Sequence, residues 1–304
     1  MKRREILQAT AAACSGLLLS SRPIAGGSGL PAQDSGPRRI PITMSHGVGH
    51  TNGGVRNEKA EHFDRQCQVA HALGCESIDY DDLQAWRNGT KKLPRRPLML
   101  DFDHPGITMR FEVLEVLKRY GFRGTLFINT AGIEKMVQGP LPDPATRQFM
   151  TWEEVGELVA AGWKIGAHTV NHPNLSELSR KDPSGARLRE ELDQSNETIQ
   201  RRLGIKPLDF AFTGTSWSSA AEREVMKRYR FGRLWIIGNQ YKADGQAIRY
   251  SDLVGVPGPD EADGGPPKDA RYITRETNPY RLPSMDLDHL IHAPEAFRRY
   301  LEEA

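Results

Sequence analysis

Two histidines four residues apart, with a pair of aspartates upstream, are the groups in this sequence best suited to chemistry. His168 and His172 follow the apolar run 163–167, which is typical of a buried strand that leaves both imidazoles just past its end. A third ligand and a carboxylate from another strand end would complete a catalytic metal site with an open coordination position. The acidic strand end at residues 101–104 supplies suitable groups. The pattern therefore predicts a site that activates a metal-bound water.

The elements that must position these residues alternate between strand and helix. Apolar runs predict strands at 40–44, 98–102, 124–129, 163–167, 208–212 and 234–237. Amphipathic stretches between them predict helices at 58–73, 111–120, 186–203 and 219–229, and a capping box at 151–154 predicts one more helix start. This rhythm indicates one α/β domain with a mostly parallel sheet or barrel. Chemistry in such folds gathers at the carboxyl ends of the strands, where both motifs lie.

Composition excludes some classes of partner. The 304 residues are 38% hydrophobic and 26% charged, as in ordinary globular proteins. The formal charge of +2 becomes −1 once the net +3 of residues 1–26 is removed. We therefore expect no global electrostatic attraction to nucleic acid or to anionic membranes.

Residues 1–26 are typical of an export signal. A basic start with paired arginines precedes a mildly apolar stretch at 9–19 and small residues at 23–27. The twin arginine followed by Ile6 and Leu7 is typical of Tat export, and a frayed helix is the alternative. We predict an export signal at 1–26, a linker at 27–39 and a catalytic domain at 40–304. The exported protein, periplasmic or extracellular, would have no integral membrane segment after cleavage.

Two cysteines, Cys67 and Cys75, lie beyond the predicted signal. An oxidising compartment permits a bridge between them, but their spacing does not show whether their Cβ atoms approach each other. A disulfide and two buried thiols both fit the sequence.

The order of these motifs resembles that of the polysaccharide deacetylases, the NodB-homology class of carbohydrate esterase family 4. The family's first motif ends a strand with Thr-Phe-Asp-Asp-Gly, and residues 101–106 read Asp-Phe-Asp-His-Pro-Gly. Its second motif, His-Ser/Thr-x-x-x-His or one residue shorter, corresponds to residues 168–172. Residues 123–128 and 190–212 are similar to its intervening strand and its approach to a third motif. The resemblance implies a deformed (β/α) barrel in a single domain.

One branch of the family is more similar than the rest. Residues 42–48 resemble the Leu-Met-Tyr-His-x-Val opening of the exported, circularly permuted branch that acts on poly-N-acetylglucosamine. Asp81-Asp82-Leu83, Leu93-Pro94 and the segment 279–283 are also similar to that branch.

The resemblance implies a hydrolase that removes N-acetyl groups from an N-acetylhexosamine polymer such as poly-N-acetylglucosamine, a chitin-like chain or peptidoglycan glycan. A divalent metal, zinc by its ligand set, would be bound by His104, His168 and His172. Asp103 would deprotonate the attacking water, and His46 would protonate the departing amine. The expected partner is the N-acetylated glycan substrate.

Three positions depart from the family pattern. His104 replaces the second aspartate of the first motif. Asp101 replaces the threonine and shares a strand face with Asp103, so it either orients a ligand histidine or takes a structural position. The third motif, at 213–217, keeps a glycine and an aromatic residue but lacks the arginine. Trp217 either lines a sugar-binding groove or packs in the core.

Each assignment has a structural alternative. His168 and His172 could cap or pack, Asp103 could be a helix N-cap, and His46 competes with His50. His289 and His292 are three residues apart, and two such histidines usually face solvent. We expect the acidic run at 190–191 to lie on a solvated helix face. Two other functions fit the same motifs, namely hydrolysis of another C–N amide or an ester, and an inactive glycan-binding homologue. The irregular segment 242–281 is a lid or a disordered insertion.

Overall fold

The computed structural model describes residues 37, 39–48, 60–214, 216–235, 270–287, 291 and 293–304. These residues fall within one compact unit, Gly36–Ala304. The predicted export signal, nearly all of the linker, His50, His289, His292 and residues 242–269 lie outside the described residues. The domain boundaries at 26 and 39 therefore stay predictions.

Strands and helices alternate along the described chain. The strands are β1 (Ile40–Ser45), β2 (Glu76–Ser77), β3 (Pro97–Asp103), β4 (Thr125–Ile128), β5 (Lys164–Ala167), β6 (Asp209–Ala211), β7 (Phe231–Trp235), β8 (Tyr272–Ile273) and β9 (Leu282–Asp286). The helices are α1 (Ala60–Ala72), α2 (Tyr80–Arg87), α3 (Leu114–Tyr120), α4 (Ala131–Met136), α5 (Trp152–Ala160), α6 (Leu175–Lys181), α7 (Ala186–Leu203), α8 (Ser219–Met226) and α9 (Pro294–Glu302). A π-helical turn, Met109–Val113, leads directly into α3.

Seven parallel strands close into a barrel in the order β1-β3-β4-β5-β6-β7-β9, and β9 pairs again with β1. Met44 of β1 pairs with Asp101 of β3 on one side and with Asp286 of β9 on the other, so β1 is the strand that closes the ring. β2 extends the sheet beside β3, and β8 lies antiparallel to β1. The predicted deformed (β/α) barrel in a single domain is confirmed.

Burial on both faces explains the composition of the strands. All seven residues of β3 are buried, because a parallel barrel strand packs against helices outside and side chains inside. Alternation along a strand sends every second residue inward. One hydrophobic cluster accordingly contains Met99, Phe127, Ala211 and Phe231, from four different strands, together with Tyr80 of α2. The larger cluster joins the outward strand residues to the helices.

The last helix ties the end of the chain to the first strand. The Tyr300 hydroxyl of α9 accepts a hydrogen bond from the Ile42 amide at 3.0 Å and reaches the Ile42 carbonyl oxygen at 3.1 Å. Tyr300 is buried and its ring stacks on Tyr272 of β8. The C-terminal part of the chain, through β8, β9 and α9, therefore holds the strand that closes the barrel.

One local prediction is confirmed, and one strand has other bounds than predicted. The capping box of α5 forms, since Thr151 accepts from the Glu154 amide and the Glu154 carboxylate accepts from the Thr151 amide. The strand predicted at 234–237 begins earlier, as β7.

No helix among the described residues has the length and apolar character needed to cross a membrane. Cys67 and Cys75 are both buried thiols, so the alternative without a disulfide describes this structure.

Candidate functional site

Three histidines meet at the carboxyl ends of the barrel strands. His104 follows β3, while His168 and His172 follow β5. One ring nitrogen from each can be chosen so that all three lie within 4.8 Å of one another. Parallel strands end at the same rim of the barrel, and only β4 lies between β3 and β5 in the sheet. The structure thus brings together the three histidines that the sequence predicted as metal ligands.

Hydrogen bonds fix which nitrogen each imidazole presents. The Nδ1 atom of His168 lies 2.8 Å from the carbonyl oxygen of Ala211, which can only accept, so Nδ1 carries the proton. The Nε2 atom of His168 is then a lone-pair acceptor; it is buried and has no hydrogen-bond partner among the residues that the structure describes. His104 is held in the same way, with Nδ1 at 2.9 Å from Asn129 Oδ1. A buried, unpartnered acceptor beside two more imidazoles fits a bound metal ion.

Burial also keeps these imidazoles neutral. It lowers the pKa of His104 to about 4 with a further contribution from the neighbouring histidines, and it lowers the pKa of His168 well below the ordinary value. The pKa of His172 is lowered for the same reason. Neutral imidazole is the form that binds metal, so the three rings are in the binding form at pH 7.

The backbone around the cluster is strained. His104, Thr169 and His172 have φ values of 67°, 69° and 56°, in the left-handed region that non-glycine residues seldom occupy. Thr169 Oγ1 accepts a hydrogen bond from the His172 amide at 3.0 Å. Such strain persists where the surrounding structure over-determines it, and it is concentrated at functional sites.

Glu191 of α7 holds the loop between His168 and His172. Its carboxylate accepts from the amides of Val170 and Asn171 at 2.9 and 2.8 Å, and from the Asn171 side chain at 2.7 Å. The expectation that this residue only faces solvent is therefore wrong. The residue was missed because sequence cannot show which face of α7 turns toward the loop.

The carboxylate expected to act as the base is paired with a buried arginine. Asp103 is buried and its Oδ1 accepts from Nη2 of Arg233, a residue of β7 with no exposed surface. Burial raises the pKa of the Asp103 carboxyl. The Arg233 charge and the nearby histidines together lower it by a larger amount, so the net pKa lies below the usual range. Asp103 is therefore ionised at neutral pH. Arg233 was not predicted, although an arginine inside the apolar run of β7 could have indicated it.

His46 lies at the same rim, after β1. Its ring stacks on His104, with centroids 5.4 Å apart and planes 25° from parallel, and its edge meets the Trp235 ring at 5.4 Å. The predicted general acid is therefore next to the histidine cluster.

Two predicted site residues lie elsewhere. Asp101 accepts a hydrogen bond from the Tyr80 hydroxyl at 2.6 Å and lies 3.5 Å from Nε of Arg233. Orientation of the ligand histidines comes instead from Ala211 and Asn129. Trp217 is buried, and its indole nitrogen donates to Glu222 at 2.7 Å. A buried indole cannot line a groove, so the core-packing alternative describes Trp217.

Comparison with known proteins shows which family this part of the chain is similar to. Residues 90–231 match the family model described as polysaccharide deacetylase. The Bacillus subtilis (strain 168) protein YxkH, assigned to the polysaccharide deacetylases, is 26% identical over 144 residues. That stretch covers 47% of each chain, so this chain spans about half the length of YxkH. The B. subtilis protein YlxY is 27% identical over 109 residues, which are 36% of this chain and 28% of YlxY.

Solved structures share the fold at lower identity. The deacetylase PplD of Streptococcus pyogenes aligns with a TM-score of 0.64 and 16% identity, covering 87% of this chain and 99% of PplD. A polysaccharide deacetylase from Bacillus cereus aligns with a TM-score of 0.60 and 15% identity over 86% of this chain and 69% of its own. IcaB from Ammonifex degensii aligns with a TM-score of 0.53 and 15% identity over 72% of this chain and 97% of IcaB.

Proposed function

We propose, from the match of residues 90–231 to the polysaccharide deacetylase family model, that this chain is a metal-dependent hydrolase that removes N-acetyl groups from an N-acetylhexosamine polymer. The observation that supports the proposal most strongly is the buried, unpartnered Nε2 of His168 beside His104 and His172. An ionised, buried carboxylate, Asp103, adjoins this cluster. The proposal is thus supported by a family match, by three side chains able to bind a metal ion and by a carboxylate able to act as a base.

The three imidazoles would hold the ion, and their all-nitrogen donor set favours zinc over magnesium or calcium. When bound, the ion supplies Lewis-acid polarisation and lowers the pKa of a water molecule. Asp103 is proposed as the base that takes a proton from the attacking water. His46, at the same rim, is proposed as the acid that delivers a proton to the departing amine. Each transfer of this kind typically contributes ~10²–10⁴-fold in rate.

The substrate and the compartment form part of the same proposal. The similarity of residues 42–48 and 279–283 to the permuted branch favours poly-N-acetylglucosamine over chitin-like or peptidoglycan glycan. Residues 1–26 would direct the protein through the Tat route to the periplasm or the exterior, where such polymers are found. A dead glycan-binding homologue is disfavoured because both the histidine cluster and the charged base are retained.

The decisive experiment combines metal analysis with product release. Metal content of the purified mature protein and amine release from N-acetylglucosamine oligomers are measured for wild type, His168→Ala and Asp103→Asn. His71→Ala is the control, since His71 is exposed on α1. We expect about one metal per chain and amine release in wild type. His168→Ala should lose both, and Asp103→Asn should keep the metal while losing release.

Other outcomes separate the alternatives. Stoichiometric metal without amine release would contradict the proposed substrate and would indicate that the enzyme hydrolyses another amide or an ester. Absence of metal and of release after zinc supplementation contradicts the hydrolase and leaves the glycan-binding homologue. Thermal melts of each variant show whether a loss reflects unfolding.

A further inference from the structure

A single guanidinium bridges two carboxylates inside the barrel. Arg233 is fully buried, and its Nη2 donates to Asp103 while its Nη1 reaches Ser284 Oγ at 3.4 Å. Its Nε lies 3.5 Å from Oδ2 of Asp101. Asp101 and Asp103 are two residues apart on β3, so both point to the interior face that Arg233 enters from β7.

Asp101 is a costly residue to keep in this position. It has no exposed surface. Within the described part of the chain its Oδ1 has no hydrogen-bond partner, and its one hydrogen bond comes from the Tyr80 hydroxyl. A buried carboxylate with so few partners costs free energy unless a nearby charge compensates it. The charge that does so belongs to Arg233. The contact with Arg233 therefore explains why position 101 holds an aspartate and not the threonine of the family motif.

A second departure is explained by the same arrangement. The 213–217 segment lacks the arginine that the family resemblance places there. The described structure nevertheless contains an arginine against Asp103, contributed by β7, the next strand along the chain. An arginine brought in from another strand needs its own support, and Asp101 lies on the side of its Nε.

We propose that Asp101 and Tyr80 are positioning residues, which hold Arg233 in the orientation that fixes the carboxylate of Asp103. This rests on the proposed function, because Asp103 is the base of that reaction. The guanidinium is planar and rigid, so two contacts define its plane: the hydrogen bond from Nη2 to Asp103, and the ion-pair contact of Nε with Asp101, an Nε that makes no hydrogen bond among the described residues. Tyr80 completes the chain by fixing Asp101 Oδ2. It is buried, and burial raises its pKa well above the ordinary value, so it stays a neutral donor.

The kinetic test removes each link without changing side-chain size. Asp101→Asn replaces the carboxyl group with an amide, and Tyr80→Phe removes only the hydroxyl. Tyr229→Phe is the matched control, a buried tyrosine whose hydroxyl donates to Asn196 at 2.8 Å. We expect Asp101→Asn to lower kcat by about 10²-fold, the typical cost of misplacing a reacting group by ~1 Å. KM and metal content should stay within about twofold to threefold of wild type, and Tyr229→Phe should leave kcat unchanged.

The double variant tests whether Tyr80 acts through Asp101. If it does, Tyr80→Phe lowers kcat by roughly tenfold alone and adds nothing to Asp101→Asn, because coupled residues are non-additive. If the losses of kcat in the two single variants multiply in the double variant, Tyr80 does not act through Asp101. A folded Asp101→Asn protein with wild-type kcat would overturn the whole proposal. Should Asp101→Asn fail to fold, Tyr80→Phe against Tyr229→Phe decides alone.

A readout without catalysis separates this inference from the proposed function. The Nε–H of Arg233 gives a ¹⁵N side-chain signal that is protected from water by burial and can be assigned by its loss in Arg233→Lys. We expect Asp101→Asn to shift this signal and to accelerate its exchange by at least tenfold, with a smaller effect in Tyr80→Phe. If wild type releases no amine, the proposed function fails while this signal still tests the contact. An unchanged Arg233 signal in Asp101→Asn would show that Asp101 does not position the arginine.

Discussion

The Nδ1 atom of His168 and the backbone carbonyl oxygen of Ala211 lie 2.8 Å apart, so β6 sets the direction of a histidine that follows β5. A backbone acceptor cannot be removed by changing a side chain. The equivalent contact of His104 uses the side chain of Asn129 and is therefore open to substitution. This difference leads to the first prediction.

We expect Asn129→Ala to weaken zinc binding by roughly 10–100-fold, the usual effect of losing a hydrogen bond that orients a ligand histidine. His104 would then be free to rotate and to change tautomer. The measurement is a competition titration with a chromophoric chelator. Asn196→Ala, which alters a contact with Tyr229, is the control and should leave the affinity unchanged. Equal affinity in wild type and Asn129→Ala would argue against His104 as an oriented ligand.

Removal of the Arg233 charge should destabilise the fold severely. Arg233→Leu leaves Asp101 and Asp103 without a cation, and breaking a buried ion pair costs about 3–5 kcal/mol. Urea unfolding measures the loss. The control, Lys118→Ala, removes an exposed partner of Glu115 and should cost no more than about 1 kcal/mol. Adding Asp101→Asn and Asp103→Asn to Arg233→Leu should recover part of the stability, and no recovery would show that the loss is one of packing.

Gly166 of β5 should not accept a side chain. A methyl group there would overlap the ring of Phe127 and lie 3.1 Å from the carbonyl oxygen of Asp209. We expect Gly166→Ala to destabilise the protein by about 1–3 kcal/mol, as overpacking does. In contrast, a methyl group at Gly156 of α5 meets no atom of the described residues within 4 Å, and Gly156→Ala should stabilise by roughly 0.5–1 kcal/mol. Unfolding midpoints of the two variants should therefore move in opposite directions, and a neutral Gly166→Ala would contradict the packing.

Asp209 should make stability depend on pH in a definite direction. Burial raises the pKa of its carboxyl to about 6, with Asp81 and Asp79 adding to the effect and Arg230 opposing it. An unfolded aspartate titrates near ~3.9, so the folded state binds the proton more tightly between about pH 4 and 6. The contribution of this group to stability is then present at low pH and is lost as pH rises through about 6.

The variant that tests this is Asp209→Asn, which cannot titrate and leaves Arg230 paired with Asp81 at 2.8 Å. We expect the stability of Asp209→Asn relative to wild type to increase from pH 4.5 to pH 7. Urea unfolding at the two pH values gives the difference, with Glu153→Gln on exposed surface as the control. A relative stability that is flat or decreases with pH would contradict a raised pKa.

The barrel and the histidine cluster could be predicted from sequence because both follow from short-range patterns. Apolar runs mark strands, and strands separated by helices run parallel, so groups just past their ends share one rim. His46, Asp103, His104, His168 and His172 all follow predicted strands, while the roles of His46 and His104 came from the family resemblance. Their meeting needs no knowledge of which strand lies opposite which.

The residues that were missed depend on relationships across the barrel. Arg233 of β7 reaches β3, which is not its neighbour in the sheet, so no local pattern connects them. Glu191 depends on the rotation of α7, and Trp217 on the packing of a loop. No strand was predicted at β9, because it carries Pro283 and proline seldom lies within a sheet. Residues 279–283 were noted only for their similarity to one branch of the family.

The pairing of β1 with both β3 and β9 also has a consequence for the order of events during synthesis. All three histidines are translated well before residues 282–286, yet the ring that supports them cannot close until β9 has been added beside β1. Contacts between the two ends of a chain are slow to form, because they require the longest loops. A nascent chain that ends before β9 therefore holds every candidate ligand without a closed barrel, and the site matures only when the C-terminal segment leaves the ribosome.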